Sequence, residues 1–175
     1  MKLLSTSALA AIVAFATTIA GSAPSEVEEM MTKEKLAGPW RLVSFKATAG
    51  DKVSYPLGEH AGGYIEITPT RYWLMAIDPT RKAPAAATLT DVESVSLMKS
   101  HVAYTGKYDV DPAQTPDGIK ITIHVDAASN HALTGTDRVF YARLDGNKMT
   151  LKSPTLVVGT SGVTSVVEIE YVKAE

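Results

Sequence analysis

The 175-residue chain contains no cysteine. Disulfide bonds and thiol nucleophiles are therefore excluded, and no lipid can be attached through an N-terminal cysteine. Neither asparagine, Asn130 or Asn147, is followed two positions later by serine or threonine, so the chain has no N-glycosylation acceptor. The stability of the protein must come from a buried core, and the chain is long enough to build one.

The chain also lacks an excess of charge of either sign. It has 17 lysine and arginine residues against 19 aspartate and glutamate residues, which gives a formal net charge of -2. A near-neutral chain has no electrostatic attraction to a phosphate backbone, so we expect no nucleic-acid partner. Length and composition are those of a single globular domain.

The longest apolar run lies close to the start of the chain, over residues 8–20. It follows Lys2 and precedes small residues, an order that predicts a secretory signal peptide over residues 1–20 with cleavage after Ala20. The run is shorter than the roughly 20 apolar residues of a spanning helix, so we expect no stable membrane insertion after cleavage, although an anchor is the alternative. The predicted location is secreted or periplasmic, and the absence of disulfides favours a bacterial source.

Residues 21–37 are predicted to be a helical lead-in to the domain. Ser25 and Glu28 have the spacing of a capping box, and Gly38 followed by Pro39 is a stop signal. The remaining segment, residues 38–175, is predicted to be one domain.

From Gly38 onward the apolar residues alternate with a period of two, as in half-buried antiparallel strands. The predicted inward positions are Ile65, Ile67, Val102, Tyr104, Gly106, Tyr108, Val110, Ile119, Ile121 and Ile123. Turn signals separate about eight such strands. We predict an all-β fold, an up-and-down antiparallel eight-stranded barrel, because closure buries one face and removes the edges. A two-sheet sandwich is the alternative.

One longer insertion interrupts the strands at residues 78–100. It begins rich in proline and alanine and then becomes helical, with Thr90 and Glu93 at capping-box spacing. Val92, Val95 and Met98 recur every third residue, which predicts a helix docked on the barrel by one apolar face.

Trp40 stands in "LAGPWRLVSF", a glycine-x-tryptophan pattern at the start of the first strand. The segments "YPLGEHAGGYIEITP", "AYTGKYDV" and "LTGTDRVFYARLDGNKMTLKSP" follow it in order. Together they resemble the lipocalin-like domain family of small bacterial and fungal proteins, from about Leu36 to Tyr171. The resemblance implies a barrel whose closed end is plugged by the indole. In lipocalins proper an arginine of the last strand stacks on this tryptophan; here no arginine follows Arg143, and Lys173 is the available substitute.

A barrel interior would bind an apolar molecule and orient it with a few polar groups. The candidate ligand-binding residues are Trp73, Met75, Tyr104, Tyr108, His124, Asn130, Arg138 and Phe140. Arg138 shares a face with Phe140, where it would anchor an anionic head group. The alternatives are that Arg138 forms an internal ion pair, or that its side chain reaches solvent at the strand end. Tyr104 and Tyr108 are inward phenols that could instead be plain core.

The histidines offer no metal motif, since none of the four lies at paired spacing, and we assign no metal and no cofactor. In the resemblance, His124 matches a histidine of the family pattern and Asn130 matches an asparagine close to it. Strict alternation places His124 on the face of the strand opposite to Ile121, away from the cavity. A bulge near the strand end would move the His124 side chain to the inner face. No nucleophile motif is present, and no catalytic residue is assigned.

We therefore predict an exported barrel, a monomer or weak dimer, that binds a small hydrophobic or amphipathic molecule, anionic ones included. The first alternative is an isomerase or cyclase that acts on a lipophilic substrate with Tyr104, His124 or Arg138 as acid–base groups. The second is an interaction module with a filled interior. Cavity volume distinguishes that module from the other two.

Overall fold

The computed structural model describes residues 26–157 and 164–175. The predicted signal peptide and Ser25 of the predicted first cap lie outside these residues. Two α-helices occur in the described part, α1 (Glu26–Leu36) and α2 (Asp91–Lys99), with a 3-10 helix at His131–Leu133. In these ranges no helix combines the length and apolar character that crossing a membrane requires.

The described strands are β1 (Gly38–Ala49), β2 (Lys52–Ser54), β3 (Gly62–Ile67), β4 (Arg71–Ile77), β5 (His101–Thr115), β6 (Gly118–Ala128), β7 (Asp137–Asp145), β8 (Lys148–Lys152), β9 (Leu156–Val157) and β10 (Thr164–Lys173). Eight of them form one antiparallel ring in the order β1, β3, β4, β5, β6, β7, β8, β10, and β10 pairs back to β1. The short strands β2 and β9 lie outside this ring and pair with β1 and β10, respectively. The eight-stranded barrel is confirmed, and the sandwich alternative is wrong because the ring closes on itself.

The alternation of the strands places their apolar faces inside the barrel, as predicted. Ile65, Ile67, Ile121 and Ile123 are almost completely buried. Gly106, on the inner face of β5, lies where β6 passes very close: a Cβ atom at this position would be 2.0 Å from the carbonyl oxygen of His124. Only glycine fits there.

One end of the barrel is closed by α1 and Trp40. Trp40 is 2% exposed, and its indole Nε1–H donates a hydrogen bond to the carbonyl of Leu36, 2.8 Å away, at the end of α1. The plug that the resemblance implied is thus confirmed. The ammonium group of Lys173 lies over the indole, in the place expected of the missing arginine.

Helix α2 is capped as predicted but does not dock on the barrel. The Thr90 side chain accepts a hydrogen bond from the Glu93 backbone N–H, and the Glu93 carboxylate accepts one from Thr90. Val92, Val95 and Met98 are 80%, 52% and 52% exposed, so the predicted docking is wrong. The helix leads almost directly into β5 at the barrel rim, where Met98 borders the barrel interior but Val92 and Val95 face no core.

A candidate ligand cavity at the open end

A cavity of about 770 Å³ opens at the end of the barrel away from Trp40. Its lining residues are Phe45, Pro56, Leu57, Leu74, Met98, Lys99, His101, Val102, Tyr104, Ser129, Asn130, His131, Ala132, Leu133, Arg138, Phe140, Val167 and Ile169. Most of them are apolar. The described barrel therefore has room for a ligand, and the filled interior that the interaction-module alternative requires is not found in it.

Three connections build the rim of the cavity. They are the segment at residues 56–57, the C-terminal turn of α2, and the 3-10 helix between β6 and β7. Asn130 lines the cavity and also caps this short helix, because its Oδ1 accepts a hydrogen bond of 3.1 Å from the Ala132 backbone N–H. Ser129 is engaged in the same way, since its hydroxyl accepts from the N–H of Ala103. Both rim side chains therefore hold local structure.

Arg138 lies on the cavity wall beside Phe140, on the inner face of β7. Its Nε is buried and has no hydrogen-bond partner, and no described residue forms an ion pair with its guanidinium. The predicted alternative of an internal ion pair is therefore not found within residues 26–157 and 164–175. Among the described residues that line the cavity there is no aspartate or glutamate, and Lys99 adds a second positive charge at the rim.

Tyr104 lines the same cavity as Arg138, with 6% of its surface exposed. Its ring stacks on that of Tyr72, with centroids 5.9 Å apart and an angle of 18° between the planes. Burial raises the pKa of Tyr104 to about 12, against the opposing effect of the positive charge on Arg138. The phenol is consequently neutral at ordinary pH and available as a hydrogen-bond donor.

Two further tyrosines continue this cluster below Tyr104. Tyr72 and Tyr171 are each 1% exposed, and their phenols belong to the same buried cluster as that of Tyr104. Burial raises the pKa of both phenols, and Tyr104 contributes to the rise in each case. Neither tyrosine lines the cavity itself. Parity accounts for their burial, because Tyr72 alternates with Leu74, and Tyr171 with Ile169, on inward faces.

Tyr108 is buried as predicted but lies outside the cavity lining. Its hydroxyl donates a hydrogen bond of 2.9 Å to the carbonyl of Thr68, and the ammonium of Lys33 on α1 lies 5.3 Å from its ring centroid. Burial raises the pKa of Tyr108 to about 12. This tyrosine supports the end of the barrel near α1.

Trp73 and Met75 were predicted to form the apolar wall, and this placement is wrong. Both side chains point outward, with 50% and 54% of their surface exposed. The inward residues of β4 are instead Tyr72, Leu74 and Ala76. The Arg71 guanidinium lies 5.6 Å from the centroid of the Trp73 ring on the outer surface.

His124 also lies on the outer surface, so its side chain does not line the cavity. Its Nε2 and Nδ1 each lie 2.8 Å from a carboxylate oxygen, of Asp109 and Asp137 respectively. The hydrogen bond to Asp109, followed by that to Asp137, raises the pKa of His124. A bulge does exist near the end of β6, but it falls at Asp126, beyond His124, so the His124 side chain stays on the outer face.

The histidines that do line the cavity are His101 and His131. The Nδ1 of His101 is 2.9 Å from the carbonyl oxygen of Leu97, which can only accept, so this nitrogen carries the proton. Across the described ranges, histidine and acidic side chains form no group of three or more that could hold a metal ion.

Comparison with known proteins agrees with this architecture. The family model of a lipocalin-like domain matches residues 37–167, about three quarters of the chain. The comparisons with curated proteins and with solved structures each returned no match. The structure has a closed eight-stranded barrel with a tryptophan plug at the start of the first strand, and the family model matches most of the chain. The protein therefore belongs to the lipocalin-like domain family.

Proposed function

We propose that this protein is an exported binding protein that holds a small hydrophobic or amphipathic molecule in the barrel cavity. The observation that carries the proposal is the cavity itself, about 770 Å³ and lined mainly by apolar side chains. Sites for small molecules typically enclose about 300–1,000 Å³ with a few polar groups among apolar ones. Each apolar Å² that a ligand removes from water contributes roughly 25 cal/mol.

The acid–base groups of the enzyme alternative are poorly arranged for catalysis. His124 is on the outer surface, and the raised pKa of Tyr104 keeps its phenol protonated, so neither can act as a base in the cavity near neutral pH. Arg138 keeps its proton under all ordinary conditions. These positions and charges do not favour the base role in that alternative for any of the three residues.

A titration with the neutral fluorophore N-phenyl-1-naphthylamine tests the proposal. We expect enhanced fluorescence with the wild-type protein and about tenfold weaker binding by Leu74→Trp, because this change fills the cavity from the inner face of β4. Trp73→Phe, the neighbouring change on the outer face, is the matched control and should bind as the wild type does. Absence of binding by the folded wild-type chain would refute the proposal.

Export rests on the sequence of residues 1–20, independently of the cavity. Expression of the full chain in a Gram-negative host should yield a periplasmic product whose intact mass begins at Gly21. A product that keeps residues 1–20 and stays in the cytoplasm would contradict export without affecting the binding proposal.

A further inference from the structure

Resting on the proposed function, we infer that the ligand is a monocarboxylate amphiphile whose carboxylate lies inside the barrel against Arg138 and Tyr104. The hydrocarbon part then occupies the apolar remainder of the cavity towards the rim. This names a ligand class, its orientation and the two side chains that select it.

The charges of the cavity carry the first step. Within the described part of the chain, the lining residues include Arg138 and Lys99 but no acidic side chain. A guanidinium with a buried, unpartnered Nε carries a desolvation cost that an anion in the cavity would offset. A neutral ligand would bring no charge to offset it.

The hydrogen-bonding groups carry the second step. Ser129, Asn130 and His131 belong to a connection at the rim, and His101 begins β5 beside the end of α2. The polar lining side chains further along the strands are Arg138 on β7 and Tyr104 on β5. Arg138 can only donate, and the neutral phenol of Tyr104 is the donor beside it. A carboxylate, which accepts through both oxygens, matches a guanidinium and a phenol in charge and in hydrogen-bonding direction.

The burial of the two cations sets the orientation of the ligand. Lys99 is exposed at the rim, where water solvates its charge, whereas the Nε of Arg138 is buried in the barrel wall. An anion therefore gains more by contact with Arg138 than by contact with Lys99, which places the charged end of the ligand inward.

The number of charges favours a monoanion over a dianion. Arg138 is the cation on the strand wall, and Lys99 belongs to the end of helix α2 at the rim. One guanidinium neutralises one carboxylate, whereas a phosphate monoester would bring a second, uncompensated charge into the barrel. We therefore expect selectivity for carboxylates over phosphate monoesters of the same chain length.

Calorimetric titration of the full-length protein with matched amphiphiles tests the inference. The probes are dodecanoate, dodecanol, methyl dodecanoate and dodecyl phosphate near neutral pH, repeated with the octyl and hexadecyl series. We expect the carboxylate to bind at least about tenfold more tightly than the alcohol, ester or phosphate of the length that binds best.

Two variants test whether Arg138 causes the preference for the carboxylate. Arg138→Gln should lower carboxylate affinity by about tenfold and leave alcohol affinity within about twofold. Arg143→Gln is the matched control, because Arg143 lies on the same strand but its side chain is exposed and donates to the carbonyls of Pro116 and Asp117. It should leave both affinities unchanged. Circular dichroism confirms that the variants are folded, and the wild-type comparison of acid with ester needs no variant.

The outcomes separate the two proposals. Binding of dodecanol or of the neutral fluorophore without any preference for carboxylate, at every chain length, would overturn this inference and leave the proposed function standing. An equal loss of acid and alcohol binding in Arg138→Gln would also overturn it, as would tighter binding of the phosphate. If the folded protein binds none of the amphiphiles and no fluorophore, both proposals fail.

Discussion

The ammonium nitrogen of Lys173 lies 4.3 Å from the centroid of the Trp40 indole ring and donates a hydrogen bond to the carbonyl of Ala37. Strand β10 thereby holds both Trp40, which plugs the barrel, and the segment that leads into β1. The contact takes the place that an arginine occupies in lipocalins proper, although a lysine offers a point charge and no flat surface for stacking. Trp40 is additionally held by its bond to Leu36.

Replacing Lys173 by methionine should therefore destabilise the barrel by about 1 kcal/mol, because the cation–π contact and the hydrogen bond are both lost. Lys173→Arg should be at least as stable as the wild type, since a guanidinium can stack on the indole. Urea unfolding followed by fluorescence measures both. A methionine variant as stable as the wild type would show that the contact contributes nothing.

The free energy of unfolding should depend on the protonation of His124. Its hydrogen bonds to Asp109 and Asp137 raise its pKa above 6.5 in the folded state, so they favour the charged imidazole. The stabilisation is complete below about pH 6.5, the unfolded value, and is lost as the pH rises through the higher folded pKa. Because the side chain is 44% exposed, we expect less than about 1 kcal/mol.

Denaturation of the wild type and His124→Gln at several pH values measures this contribution, and the variant should lack it. NMR titration of the His124 ring gives the pKa directly. A value at or below 6.5 would contradict the prediction.

The outward position of Trp73 predicts tolerance to substitution. Trp73→Ser should lower the free energy of unfolding by no more than about 1 kcal/mol, because the side chain is half exposed and the contact that it loses is the one with the Arg71 guanidinium. Ile65→Ala, in the fully buried position of the adjacent strand, should cost about 2–5 kcal/mol. Thermal and urea denaturation compare the two. A larger loss for Trp73→Ser than for Ile65→Ala would place the tryptophan inside the barrel.

Gly106→Ala should destabilise the barrel by about 2–4 kcal/mol, because the new Cβ would lie 2.0 Å from the His124 carbonyl oxygen and the backbone of β6 must move. Gly62→Ala is the control in another strand, where the nearest atom is a side-chain carbon of Ile77 at 3.8 Å. Its effect should stay below about 1 kcal/mol. Similar stabilities of the two variants would refute the assigned close approach of β5 and β6.

The fold was predictable from the sequence because most strands have one apolar and one polar face. In β4 this contrast disappears, since Trp73 and Met75 are as apolar as their inward neighbours Tyr72 and Leu74. The inward side of this strand is set by its pairing with β3, where Ile67 is opposite Tyr72 and Ile65 opposite Leu74. Alternation within β4 alone could not decide it.

The cavity was less predictable than the barrel. Arg138 and Phe140 were found through parity, but the rim comes from segments far apart in the chain, such as Leu57, Met98 and Leu133. Their convergence depends on the tertiary arrangement of three connections. The spacing of apolar residues in α2 indicated docking, yet a helix at a barrel rim has little core to cover, and Val92 remains exposed.

The pairing of Trp40 with Lys173, and the hydrogen bond from the Ala174 N–H to the Pro39 carbonyl, bring the C-terminus beside the first strand at the plugged end. A tag or surface linkage attached at Glu175 is therefore remote from the opening. Protein immobilised in this way would present its entrance to the solution, an orientation that suits sensors and affinity supports.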